Sequence, residues 1–542
     1  MHSSSTLSLK IVIALVVICM SCRTTVAESF FDRLFRTPGS THQVPSAPIV
    51  LSHSAPSPQL DTTHPVSIAR HSQSGASIQM NPSVMVVGAY DWQPETDGTS
   101  RCTQMVDKAA MMGGDRINWF TTHYWLSNSD GLLIGYLYKD INGDLVPFND
   151  QAITSFRSGM AHCFQHAVRK GLSISIVPHL DDGSSTDLIE TKWRNGIVFD
   201  PLQKLNGYSY ADIMLDPLAV ALRFSINART KVWMALQGEM SATVLYYPRA
   251  YELLARELHG TITTGIPGTP ASVAYDDRVK TGVSFNFNKL DAPDAATPDQ
   301  DQNGAFGIGS FVFRLLYGVG NKNARRRRGR RHGVPGPDLP RGCGVPAARR
   351  CACARAPSLS KDSIVNLLNT VGFVGISAYH SLPVDITAND MQASALGFFQ
   401  EFSAFGIDVQ SIVIKRGIEL HYSEFGLGGG SSFANKVPAA NVQAAANNPW
   451  EGVSGAYNAA ADPFLTNPRL AAYQRQFYQA TLAWLMQGSG PQVRIHACFM
   501  WNVDSWDVLG IYPESSAYRN EGIARQIAAH NLAVVSRNQV KH

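Results

Sequence analysis

Residues 417–430 read GIELHYSEFGLGGG: a hydrophobic run closes on a carboxylate, Glu424, and glycines then turn the chain sharply. A carboxylate at the carboxyl end of a strand, followed by a turn, is where a parallel α/β barrel presents a reacting group. Residues 231–240, KVWMALQGEM, have the same form and end in Glu239. Strand-like runs followed by polar or aromatic residues recur at 83–94, 116–126, 171–183, 279–290, 371–383 and 493–506, which makes eight. Helical periodicity marks 101–112, 151–169, 208–229, 248–259, about 305–318, 389–405, 469–487 and about 517–534. Eight strands alternating with eight helices predict a parallel sheet with crossover helices. The count predicts a closed (β/α)8 TIM barrel. A doubly wound nucleotide fold would want a Gly-rich turn after its first strand, and none is there.

Outward from the barrel, the chain divides into three. Residues 1–27 carry Lys10, the apolar run IVIALVVICM and a small-residue end TVA before Glu28, the layout of a cleavable signal peptide. The run is shorter than the roughly 20 apolar residues a membrane span needs. The expectation is a secreted chain cut after Ala27, with no membrane attachment afterwards. Residues 28–80, rich in Ser, Pro, Thr and His, read as a flexible leader. Residues 81–542 form the barrel domain, interrupted by a basic insertion at 321–357.

That insertion distorts the charge. It holds ten arginines and Lys322 against Asp338, a net +10, so the rest of the chain carries −6 of the total +4. The basic balance is therefore no argument for nucleic acid. The insertion reads as a disordered, low-complexity segment, with a tether to acidic glycans as the rival reading. Of eight cysteines, Cys19 and Cys22 fall in the signal and Cys343, Cys351 and Cys353 in the insertion. Cys102, Cys163 and Cys498 remain, without metal-ligand spacing. A Cys102–Cys163 bridge and buried free thiols both stay open.

Two glutamates ending strands four and seven would face each other across the barrel mouth. Hydrolysis of a glycosidic bond needs one acid to protonate the leaving oxygen and one carboxylate to attack or to activate water. The pair predicts a glycoside hydrolase; the bland alternative, a helix cap or an arginine partner, suits a single glutamate better than a matched pair. Pyranose faces pack on aromatic rings and their hydroxyls seek carboxylates, amides and imidazoles. Trp92, Trp125, Trp193, Trp501 and Trp506 are candidate subsite residues, each equally consistent with core packing. His179, Asp181, Arg194 and Asn286 are candidate hydrogen-bonding partners of the sugar. Asp181 and Asp182 fall short of the six to eight oxygens that Ca²⁺ takes. His179 reads as a satisfied strand-end histidine. No metal and no cofactor is assigned.

Several motifs carry a resemblance: PHLDDG (178–183) with WRNG (193–196), GEM (238–240), GISAYHSLP (375–383), YSEFG (422–426) and FMWNVDSW (499–506). In order from about residue 84 to 512, with the insertion as the one large gap, they resemble glycoside hydrolase family 113, mainly endo-β-1,4-mannanases of the large retaining clan. The resemblance implies Glu239 as general acid/base, Glu424 as nucleophile and Tyr379 as the hydroxyl that holds the nucleophile ionised. It implies a polysaccharide substrate, β-1,4-mannan first. Gly238 departs from the clan, many of whose members have an asparagine there that contacts the sugar 2-hydroxyl. Beside this stand a related glycanase acting on another wall glycan and a barrel that binds polysaccharide without cutting it. Oligomeric state is not legible.

Overall fold

A computed structural model describes residues 76–127, 133–183, 194–264, 278–286, 360–404, 406–430, 437–452, 459–490, 492–503 and 520–540. The expected signal peptide, almost all of the leader, the helix at 305–318 and the insertion 321–357 lie outside the described residues, as do Trp193 and Trp506.

The strands are β1 (Met80–Val86), β2 (Arg116–Ser127), β3 (Leu133–Lys139), β4 (Leu145–Pro147), β5 (Ser173–Ile176) and β6 (His179–Asp182). They continue with β7 (Val232–Gly238), β8 (Val279–Asn286), β9 (Phe373–Ser377), β10 (Glu419–Phe425) and β11 (Ala497–Met500). Strands β1, β2, β5, β7, β8, β9, β10 and β11 pair in that order, all parallel, and β11 returns to β1. The sheet is a closed (β/α)8 barrel.

A helix follows each barrel strand and buries one apolar stripe against it. Asp150–Arg169 shows the logic: Asn149 caps it by accepting from Ala152 N–H, and Phe156, Met160, Cys163, Phe164 and Ala167 form the buried face. Phe164 meets Trp119 of β2 edge-on, ring centroids 5.1 Å apart. Such a ring contributes about 1.5–3 kcal/mol by leaving water. This layer between sheet and helices is the main core. Cys102 and Cys163 form a disulfide that ties this helix to Arg101–Ala110, while Cys498 is a buried free thiol.

Inside the barrel, the amino ends of the strands are closed by a charged cluster. Glu419 Oε2 accepts from Trp233 Nε1 at 2.7 Å and lies 2.8 Å from His421 Nε2, while Oε1 accepts from Lys280 Nζ at 2.7 Å. The Arg116 guanidinium covers the Trp233 ring at 4.1 Å. Above it Phe120, Val177, Trp233, Ala235 and Phe373 fill the interior.

Most of the expected strands are found at shorter length, because only the paired core of each run is strand; the second, Arg116–Ser127, spans its whole run. The first starts at Met80 and gives way to a helical turn at Ala89–Trp92. The third divides around Val177–Pro178: proline has no N–H for the ladder, and β6 continues along β2 alone. The antiparallel extension β2–β3–β4 was not expected. A described helix, Lys361–Thr370, precedes β9 and was likewise not expected.

Candidate active site

Both glutamates arrive at the mouth through local departures from regular strand. The β7–β8 ladder shifts register between Ala235 and Gly238, and Glu239 follows with φ +59°. That left-handed conformation costs a side-chain-bearing residue about 1–2 kcal/mol. It persists because its N–H donates to Ser284 O at 3.0 Å and the next N–H, of Met240, to Gln237 Oε1 at 2.8 Å. In β10 the register shifts between Tyr422 and Glu424, so that Glu424 lies opposite Ser377. Strict alternation would send Glu424 outward with Tyr422, whose hydroxyl donates to Met391 O in the helical layer at 2.7 Å. The bulge re-aims it into the mouth.

The result is a buried pair, Glu239 3% and Glu424 5% exposed. One carboxylate oxygen from each lies within 4.8 Å of the other and of a His179 ring nitrogen. His179 Nε2 stands 3.4 Å from Glu424 Oε1, and the Tyr379 hydroxyl donates to Glu424 Oε2 at 3.4 Å. Arg194 Nη1 donates to Glu239 Oε2 at 2.6 Å, while Nε and Nη2 reach Asp181 Oδ1 at 3.0 and 2.6 Å. Arg194 and Asp181, expected as sugar ligands, are thus tied to each other and to Glu239. Burial, and then the charge of Glu239, push the Glu424 carboxyl well above the usual carboxylate range; Arg194 and the Tyr379 hydroxyl pull the other way. Burial, and then Arg194, hold His179 well below its usual value, so its ring is neutral.

Gly238 explains itself sterically. A β-carbon there would lie 2.4 Å from His179 Cδ2 and 2.4 Å from Val177 Cγ1, so His179 fills the space a longer residue before Glu239 would need. Nor is His179 the satisfied strand-end histidine expected from sequence: its Nε2 and the facing Glu424 Oε1 are buried without a hydrogen-bond partner. His179, Glu239 and Glu424 together are the described residues able to hold a metal ion here.

Asn286 ends β8 in register with Ser377, beside the pair. Trp501 lies half-buried with its ring 4.6 Å from Phe120, at the top of the interior cluster. Trp193 and Trp506 fall outside the described residues. Trp92 and Trp125 do not line a subsite. Both are fully buried, Trp92 against Phe156 at 5.0 Å, because the helical turn after β1 folds it under the sheet rim.

Sequence reading missed a second polar group on the mouth. Tyr124 stands in register with Asp181, and Lys139 of the unexpected β3 lies 5.1 Å from the Tyr124 ring centroid. Asp91 accepts from Val87 N–H at 2.7 Å and pairs with Arg101 at 3.3 Å; burial pushes its carboxyl up to about 6. The only signal for this group was alternation in LIGYLYK, between two polar loops.

No protein-family model matches the chain, and no curated protein sequence does. Among solved structures it is similar to the GH113 β-mannanase from Alicyclobacillus acidocaldarius in complex with ManMIm. That pair is 13% identical over 85% of this chain and 98% of the other, with a TM-score of 0.40. It is also similar to the endo-β-1,4-mannanase from Thermotoga petrophila (11% identity, 85% and 77% covered, TM-score 0.32). A third is β-glucosidase 2 from the fungus Trichoderma reesei (10%, 82% and 93%, TM-score 0.34).

Proposed function

We propose that this chain is a glycoside hydrolase that cuts a β-linked polysaccharide with retention of configuration, β-1,4-mannan first among substrates. The observation that carries the reading is that one carboxylate oxygen of Glu239 lies within 4.8 Å of one of Glu424 at the mouth of the barrel. Carboxyl groups about 5–5.5 Å apart suit a covalent glycosyl-enzyme intermediate, whereas inversion needs roughly 6.5–9.5 Å to admit water between them. In the order the sequence resemblance implies, Glu239 gives its proton to the glycosidic oxygen as the C1–O bond breaks. Glu424 attacks C1 and becomes a glycosyl ester. Glu239, now a carboxylate, takes a proton from water, which attacks C1 and frees Glu424.

One observation favours the exchanged order. Arg194 is ion-paired to Glu239, and Glu424 is the carboxyl that burial and the Glu239 charge push up, the ordering of a Glu239 nucleophile and a Glu424 acid. Azide decides between them. With an aryl β-mannoside, azide replaces the water that the acid/base would activate and yields the β-azide from a variant lacking that residue. From a variant lacking the nucleophile it attacks C1 directly and yields the α-azide. Glu239→Ala should give β-azide and Glu424→Ala α-azide; the reverse products assign the reverse roles. Each variant should lose about 10²–10⁴-fold or more of its turnover on mannan. Near wild-type turnover in either would remove the proposal, and a folded wild type silent on mannan, glucomannan, xylan, β-glucan and galactan would favour a binding barrel.

Secretion belongs to the same proposal. The Cys102–Cys163 disulfide supports it, since such bonds persist in oxidising compartments. Protein recovered from medium should begin at Glu28; retention of Met1 in cell-associated protein would count against it.

A further inference from the structure

We propose that His179, Glu239 and Glu424 form a binding site for a borderline transition-metal dication, Zn²⁺ above all, which occupies the mouth in competition with the glycan. The ligands come from three strand ends, at the start of β6, just beyond β7 and near the end of β10. Their ligand atoms lie within 4.8 Å of one another. Zn²⁺ binds imidazole nitrogen and carboxylate oxygen at about 2.0–2.2 Å. In a tetrahedral site such ligands stand about 3.4 Å apart. His179 Nε2 and Glu424 Oε1 already have that spacing, at 3.4 Å, and a Glu239 oxygen lies within 4.8 Å of both ligand positions.

Hydrogen bonding points to the same occupant. His179 Nε2 and Glu424 Oε1 are both buried and lack a hydrogen-bond partner, an arrangement that costs about 1–3 kcal/mol per group and that a shared cation would relieve. Charge agrees as well. The two glutamates balance a dication, and the neighbouring Arg194 is balanced by Asp181 through its other two donors. Three protein ligands leave the fourth position for water, as in catalytic zinc sites. Ca²⁺ and Mg²⁺ take six or more oxygen ligands and should not compete, while Zn²⁺ and Cu²⁺ top the order of affinity for mixed N/O sites. Binding follows from the geometry alone; only the accompanying inhibition rests on the hydrolase reading.

Competition between the full chain and a chromophoric chelator for Zn²⁺ tests it. The expected result is one Zn²⁺ per chain, unaffected by excess Mg²⁺. Affinity should fall about tenfold or more in both His179→Ala and Glu424→Gln, and stay unchanged in His166→Ala, a control at a half-buried histidine paired with Asp107 away from the mouth. Glu424→Gln alters no volume, so it decides if His179→Ala misfolds. Equal affinity in wild type and Glu424→Gln, or loss in His166→Ala instead, overturns the site. If Zn²⁺ binding depends on these ligands but no glycan is cut, the hydrolase reading fails and the metal site stands. If glycan is cut and Zn²⁺ neither binds nor inhibits, the metal site fails alone.

Discussion

At Tyr379 one hydroxyl, 3.4 Å from Glu424 Oε2, is a contact whose removal has a signed consequence. That hydrogen bond favours the ionised carboxylate, so Tyr379→Phe should raise a Glu424 carboxyl that burial already holds high. If Glu424 is the nucleophile, it must be ionised to act, and the acid limb of the kcat/KM–pH profile moves to higher pH. If it is the acid, the alkaline limb moves up instead. The displacement is at most about one pH unit, equivalent to about 1.4 kcal/mol. A shift to lower pH on either limb would contradict the assigned contact. Both glutamates were legible in sequence as strand-end carboxylates before turns, yet their aim was not. Glu424 faces the mouth only because of a register shift, and Glu239 only because its backbone takes φ +59°. Arg194 was legible as a polar residue near the mouth, but its bridging of Asp181 and Glu239 depends on three segments meeting in space.

Among the elements, β10 serves both ends of the barrel. Glu424 lies near its carboxyl end, and Glu419 at its amino end anchors the charged cluster beneath the core. Burial alone would raise the Glu419 carboxyl, but the hydrogen bonds and charges of His421 and Lys280 hold it well below the usual carboxylate range. A depressed carboxylate stabilises the fold at pH above its unfolded value, and that stability is lost as pH falls through its folded value. Glu419→Gln should therefore cost about 2–3 kcal/mol near neutral pH, less than the full 3–5 kcal/mol of a broken buried pair because Glu419 and Lys280 are partly exposed although His421 is buried. Urea denaturation measures it, and the gap from wild type should narrow only in strong acid. A difference that persists unchanged in strong acid would show that charge is not the cause. Element existence was readable from apolar runs, whereas element ends were not. Pro178 splits one run, and the β3–β4 extension depends on pairing with β2, which no local pattern announces.

For the whole molecule, closure of the barrel is the decisive fact. Strands β8 and β9 pair directly from Gly282↔Phe373 to Asn286↔Ser377, so the sheet closes without any strand from the residues between them. Deleting 321–357 about halves that connection, which changes its closure free energy by only about 0.6 kcal/mol. The deletion variant should keep its melting temperature within a few degrees and its turnover within about twofold. Loss of both would give the insertion a structural role. The barrel was already legible in the amino-acid order, since eight alternating strand and helix units leave few other ways to bury eight apolar runs. That order also narrowed which carboxylates could reach the mouth, because Glu239 and Glu424 each close an apolar run before a turn. Three-dimensional packing set how far apart those carboxylates stand, put His179 in the space beside Gly238, and made Trp92 and Trp125 core rather than surface. Those outcomes depend on register, bulges and contacts between residues far apart in the chain, which local periodicity does not encode.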